Sequence, residues 1–426
     1  MYDFPLKPNL LLGTTLVPAQ VSGGVGSVWN DWAAAGRIRD GSDPAAAADH
    51  FARWREDVML LRSLGIQTCR LGADWARIEP EEGSFDAEAT AQFKEELMLL
   101  IGMGIRPLIV LHQCSDPAWF AKKGGWEKYD NVRCFLIFAE HIIRSVGHLA
   151  AEYLTFAHPN AYVFNGWLYG TWPPGKKRLS TASAVMSNFC AAHIRAYRLI
   201  HDVRRELGFS DSRVSFALDY RTFAPKSRYN PVHRTAAAQM ERLYQLLPAE
   251  AMLTGVYRAP LRVPGKDRKG TFADFLAVDY GGRATVTRMA PGAAPGAYKD
   301  DLGFELSPDG FVSVCAQLYK LRPLQFYLCA GVCDVNDSFR SRFLYQTLRA
   351  LGTCRLPIKR FYYDSFLDGF HWIDGLYPRT GLVAVDFSTM ERSVKHAGEF
   401  FSRVIRHGGV SDKLYDKYVA GEEYHR

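Results

Sequence analysis

Tyr153-Leu-Thr-Phe-Ala-His-Pro-Asn160 is an apolar run that closes on a histidine and a proline, and it predicts a strand near residues 153–158. Runs of the same kind recur along the chain, at Arg106-Pro-Leu-Ile-Val-Leu111, Val214-Ser-Phe-Ala-Leu218 and Phe275-Leu-Ala-Val278. Amphipathic segments such as residues 93–100 lie between them. Short buried strands alternating with helices predict an α/β fold, in which helices wrap a parallel sheet.

The 426 residues carry 48% hydrophobic content, enough for one sizeable core, and the whole span 1–426 reads as a single domain without repeats or low-complexity tracts. Gly- and Pro-rich stretches at 261–270 and 289–298 are expected to be surface loops. The formal charge of +7 is modest for this length. No basic stripe interleaved with aromatics points to nucleic acid. Neither a signal sequence ahead of Met1-Tyr-Asp-Phe-Pro5 nor an apolar run of about 18 residues points to export or a membrane span. Eight cysteines without zinc-ribbon spacing read as free thiols, with Cys69, Cys134, Cys190 and Cys315 in apolar context as core filler. A cytoplasmic protein is expected.

Working outward, the opening stretch, the run from Leu11 to Gln20, Arg70-Leu71, Leu111-His112, Gly124-Gly125-Trp126 and Phe370-His371-Trp372 are ordered pieces that together resemble glycoside hydrolase family 1 along nearly the whole chain. The stretch itself is similar to the family's strand-four motif Thr-Leu-Asn-Glu-Pro. Leu11-Leu-Gly-Thr-Thr-Leu-Val-Pro-Ala-Gln20 resembles its first strand, and Asp49-His50 with Arg55-Glu56-Asp57 its first helix. Cys69-Arg70-Leu71 and Asp74-Trp75-Ala76-Arg77-Ile78 follow as the second strand and its loop, then Leu111-His112, Asp116-Pro117 and Gly124-Gly125-Trp126. Asp274-Phe275-Leu276 before Asp279-Tyr280, then Phe370-His371-Trp372 through Arg392-Ser-Val-Lys395, complete the likeness. It implies a closed (β/α)8 TIM barrel with strands near 10–16, 68–73, 106–112, 153–158, 213–219, 274–280, 323–329 and 360–365, and a site at their C-terminal ends.

The resemblance implies a retaining glycosidase that needs two carboxylates about 5 Å apart, but the matched positions hold other residues. Fixing Thr155 and Pro159 on the strand-four motif puts Ala157 at its asparagine and His158 at the acid/base glutamate. Aligning Leu328-Cys-Ala-Gly331 with Thr-Glu-Asn-Gly puts Cys329 at the nucleophile, and the tyrosine that supports the nucleophile falls on Gly281. Gln20, His112, Arg70 and Trp372 match sugar-site residues of the family, whereas Gln113, Asp364 and His371 replace its Trp, Trp and Glu. An aromatic platform with Gln and His beside it suits a polyhydroxylated ring.

Four readings follow. In the first, Cys329 attacks as a thiolate and His158 is the general acid/base, with Gln20, His112, Arg70, Asp279, Tyr280, Asp364, His371 and Trp372 binding a sugar-containing small molecule. In the second the chain is a pseudo-glycosidase that binds a carbohydrate or a partner without turnover. In the third Cys329, His158, His371 and Asp364 hold zinc or iron. A conventional glycosidase with relocated carboxylates at Asp279 and Asp364 is ranked last. The sugar, the reaction type and the oligomeric state are not set by the sequence.

Overall fold

Each expected strand is present in the computed structural model, which describes residues 3–24, 26–265, 269–288 and 291–426. They are β1 Leu11–Leu16, β2 Thr68–Gly72, β3 Arg106–Val110, β4 Glu152–Ala157, β5 Arg213–Pro225, β6 Leu276–Val286, β7 Phe326–Ala330 and β8 Ile358–Tyr363. Each pairs in parallel with the next, β8 pairs with β1, and β5 with β6 completes the closure. The result is a closed eight-stranded barrel wrapped by helices, the (β/α)8 architecture.

Its strands form because their side chains are buried on both faces: every residue of β2, β4 and β7 is buried. Inward-pointing Leu108, Val110, Leu154, Ala217, Ala277, Tyr327, Cys329 and Tyr362 pack as one cluster that fills the barrel lumen. Outward-pointing residues join a second cluster with the helices, running from Leu10 to Val419. The helices are built to meet it. In α1 (Ala87–Gly102), Asp86 caps the N-terminus by accepting from the Ala89 amide at 2.8 Å, and Ala89, Phe93, Leu97 and Leu100 face inward. In α2 (Val132–Val146), Phe135, Phe138, Ala139, Ile142, Ile143 and Val146 repeat at the same helical spacing.

Two strands depart from expectation. β5 and β6 do not stop at 219 and 280 but continue as a pair to Pro225 and Val286, carrying their ladder above the barrel rim. Between Tyr220↔Tyr280 and Thr222↔Arg283 one residue of β5, Arg221, faces two of β6, Gly281 and Gly282, which is a β-bulge. Of the expected loops, residues 266–268 and 289–290 lie outside the described residues; the second loop also contributes a short strand, Pro291–Gly292, to β6. All eight cysteines are free thiols, and Cys69, Cys134, Cys190 and Cys315 are buried. Among the described residues no helix is long and apolar enough to cross a membrane.

Candidate active site

The C-terminal ends of the strands open into a cavity of about 220 Å³. It is lined by Gln20, His158, Asp279, Tyr280, Cys329, Asp364, His371 and Trp372, so eight of the ten expected site residues meet there. Arg70 lies beneath this floor and His112 outside it.

His158 follows β4 in left-handed backbone geometry, φ 55° and ψ 32°, and Pro159 begins a short helix directly after it. That geometry is uncommon for a residue with a side chain. It is fixed by the His158 amide, which donates to the Ala217 carbonyl of β5 at 2.8 Å. The His158 ring crosses over β5 to place Nε2 2.7 Å from Asp279 Oδ2. Asp279 is in turn gripped by Arg70, whose Nη1 and Nη2 donate to its two oxygens at 2.7 and 2.9 Å. The Arg70 and Asp279 side chains are 4% and 5% exposed, whereas His158 keeps 22% open toward the cavity. Its Nδ1 has no hydrogen-bond partner among the described residues.

This buried chain of charges shifts the protonation equilibria of its members. Burial alone would raise the Asp279 pKa, but Arg70 and then His158 outweigh it and hold the carboxyl at about 2. Burial works against an imidazolium at 158, yet the Asp279 carboxylate outweighs it and raises the His158 pKa above 6.5. Cys329 goes the opposite way. Burial, then Asp364 and Asp279, push its thiol well above the ordinary 9.0, and Asp279 is its direct partner across the β6–β7 ladder.

The expected thiolate–imidazolium pair is therefore not formed: His158 is committed to Asp279, and Cys329 stays a protonated thiol that packs with the barrel lumen. The expected metal set does not assemble either. Asp364 accepts from the Thr15 hydroxyl, and His371 Nδ1 lies 4.0 Å from Asp374. Among the described residues no three His, Cys, Asp or Glu side chains are placed to hold a metal ion. Asp279, with both oxygens engaged by cations, is not free to act as a relocated nucleophile.

His112 corrects a second expectation. Its Nε2 meets Asp116 Oδ1 at 2.8 Å, and the same carboxylate accepts from Trp126 Nε1 and the Tyr162 hydroxyl, each at 2.8 Å. Trp75, Trp126, Phe135, Phe156 and Phe189 surround the ring. A buried carboxylate with three donors draws His112 away from the cavity, where sequence matching had placed it. Trp372, in contrast, stands on the cavity wall in an aromatic group with Trp29 at 5.1 Å and Trp172 at 5.5 Å between ring centroids. Gly331 lets β7 approach β8, since a Cβ there would lie 1.9 Å from the Asp364 carbonyl oxygen.

The sequence reading missed Asp219, Arg221, Tyr244 and Asp300, which also line the cavity. Asp219 and Arg221 are two apart on β5 and so share a face; that spacing was legible, but it lay at and beyond the expected strand end. Tyr244 and Asp300 come from connecting segments, and nothing local in the sequence marks them.

A barrel closed in this order, with the pocket at its strand ends, is the frame in which sequence comparison decides the family. The sequence model of Glycosyl hydrolase family 1 matches residues 19–280 and 333–410. The chain belongs to that family. It is 24% identical to beta-glucosidase A of Thermotoga maritima over 424 residues, covering 91% of this chain and 93% of that one. Among solved structures, a beta-glycosidase from Pyrococcus horikoshii superposes with a TM-score of 0.88 at 27% identity, covering 97% of this chain and 98% of the other. The Thermotoga maritima beta-glucosidase in complex with glucoimidazole superposes at 0.87 and 22% identity, over 95% and 100% of the two chains, a likeness of fold. The family match passes over residues 281–332, the span holding the Gly281–Gly282 bulge and Cys329.

Proposed function

We propose that this glycosyl hydrolase family 1 protein is a carbohydrate-active enzyme that acts on a sugar or glycoside through histidine acid–base chemistry in place of the family's paired glutamates. His158 stands at the acid/base position and Cys329 at the nucleophile position as a protonated thiol beneath the substrate. The observation that carries this reading is the 2.7 Å contact between His158 and an Asp279 locked by Arg70. It orients the imidazole and favours its protonated form. An imidazolium so held can give its proton to a departing glycosidic oxygen and take one back from the incoming hydroxyl. Trp372 and Gln20 supply an apolar face and a polar edge suited to a pyranose ring. Among the described lining residues Glu305 is the only glutamate, and Arg283, Thr285 and the Ala294 amide engage it. Eight free thiols support a cytoplasmic setting.

A second reading, carbohydrate binding without turnover, is supported by the loss of a free nucleophile: Cys329 is protonated and Asp279 is fully engaged. A panel of aryl glycosides assayed from about pH 5 to about pH 9 separates the two. Acid–base chemistry by His158 gives turnover that declines as pH rises through its raised pKa, disappears in His158→Gln and persists in Cys329→Ser. Saccharide binding by calorimetry with no product from any member of the panel overturns the enzymatic reading.

A further inference from the structure

Arg221 of β5 stands opposite the Gly281–Gly282 bulge and, two residues from Asp219, shares its face toward the cavity. Gly281 leaves room for the Asp219–Arg221 pair. A Cβ there would stand 2.5 Å from Asp219 Oδ1, 3.3 Å from Arg221 Nε and 3.4 Å from Arg221 Nη2, so any larger residue at 281 would displace the pair. Asp219 and Arg221 thus occupy the neighbourhood that the missing side chain leaves.

The guanidinium is held from several directions. Its Nε donates to Asp219 Oδ2 at 3.0 Å, and its Cζ lies 4.7 Å from the centroid of the Phe304 ring. The backbone of Arg221 is fixed by the fully buried Gln245, which accepts from its amide at 3.0 Å and donates to its carbonyl at 3.2 Å. Asp219 is itself fixed by the Tyr244 hydroxyl and by Asn160, whose side chain bonds its backbone amide and carbonyl at 2.9 and 2.8 Å. The two terminal amines of Arg221 have no acceptor among the described residues, and the side chain remains 20% exposed.

The acids around it are already engaged. Asp279 has Arg70 and His158; Asp300 accepts from the Leu302, Phe304 and Cys333 amides; Glu305 has Arg283. Arg221 is the one arginine or lysine among the described lining residues. A rigid guanidinium with both terminal amines open is the geometry that takes an oxyanion in two parallel hydrogen bonds.

We infer that the substrate carries an oxyanion substituent, a carboxylate or a phosphate, and that Arg221 is the specificity residue that grips it. The inference rests on the sugar reading above and names the class of sugar compound involved. Four probes test it by calorimetry at low salt: methyl β-glucoside, which is neutral; glucuronate and glucose 6-phosphate, charged on the sugar; and 4-carboxyphenyl β-glucoside, charged on the leaving group. At least one charged probe binds about tenfold or more tightly than the neutral one, added salt weakens that preference, and Arg221→Gln removes it. Arg221→Lys keeps part of it and serves if Arg221→Gln does not fold. Which charged probe prevails tells carboxylate from phosphate and sugar from leaving group. Equal binding of neutral and charged probes, or a preference that survives Arg221→Gln, overturns the inference and leaves the sugar reading standing. Failure of all four probes to bind overturns both.

Discussion

Replacing Asp279 by asparagine keeps the shape of the side chain and removes the charge that joins Arg70 to His158. The carboxyl is held at about 2 rather than at its ordinary 3.8. A pKa depressed in this way contributes stability that is present above 3.8 and is lost as pH falls toward about 2, amounting to about 2 kcal/mol at neutral pH. The substitution does more than forgo that contribution. It leaves the Arg70 guanidinium, 4% exposed, without its counterion, and breaking a buried pair from one side destabilises by about 3–5 kcal/mol. Chemical unfolding of wild type and Asp279→Asn at neutral pH should therefore differ by about 3–5 kcal/mol. The same variant reports on the site. With Asp279 neutral, burial and Arg70 both disfavour an imidazolium at 158, so the His158 pKa followed by NMR should fall below 6.5. A variant within about 1 kcal/mol of wild type, with the His158 titration unmoved, would refute the idea that this carboxylate organises the site.

A structural charge cluster lies outside the candidate cavity, where His50 bridges Asp57 at 2.8 Å and Glu96 at 3.0 Å, all buried. Burial opposes its charge, but Glu96 and Asp57 raise its pKa from 6.5 to about 10; its stabilisation is complete below 6.5 and is lost as pH rises through about 10. His50→Ala should cost about 3–5 kcal/mol at neutral pH and much less above pH 10 or so, measured by urea unfolding at both. Cys329, buried and protonated, should resist thiol reagents at neutral pH in the native protein while half-buried Cys354 reacts. Mass mapping of the alkylated sites checks this, and early labelling of Cys329 would restore the thiolate reading.

The barrel was legible because its signals are local. Strand-length apolar runs such as 106–110 and 152–157 alternate with helical periodicity, and the ordered family motifs set how many strands close the sheet. The two overlong strands were not legible, since their extensions leave the continuously buried stretches that mark the strands in the sequence. At the site, the sequence identified which positions face the pocket but misjudged how three of them are used. His112 carries the family's residue yet turns to Asp116; Cys329 and His158 share the site yet do not pair. Each outcome depends on which buried carboxylate an imidazole reaches first.

By itself the sequence determined the family, the barrel and the two unusual residues at its strand ends, because burial pattern and motif order are properties of the chain read along its length. The tertiary structure alone decided the chemistry available to them. Asp279 lies more than a hundred residues from His158 and from Arg70, and only closure of the barrel brings the three together. A pKa follows from distance and burial, and so does the opening that Gly281 leaves for Arg221. Neither is written in any local stretch of residues.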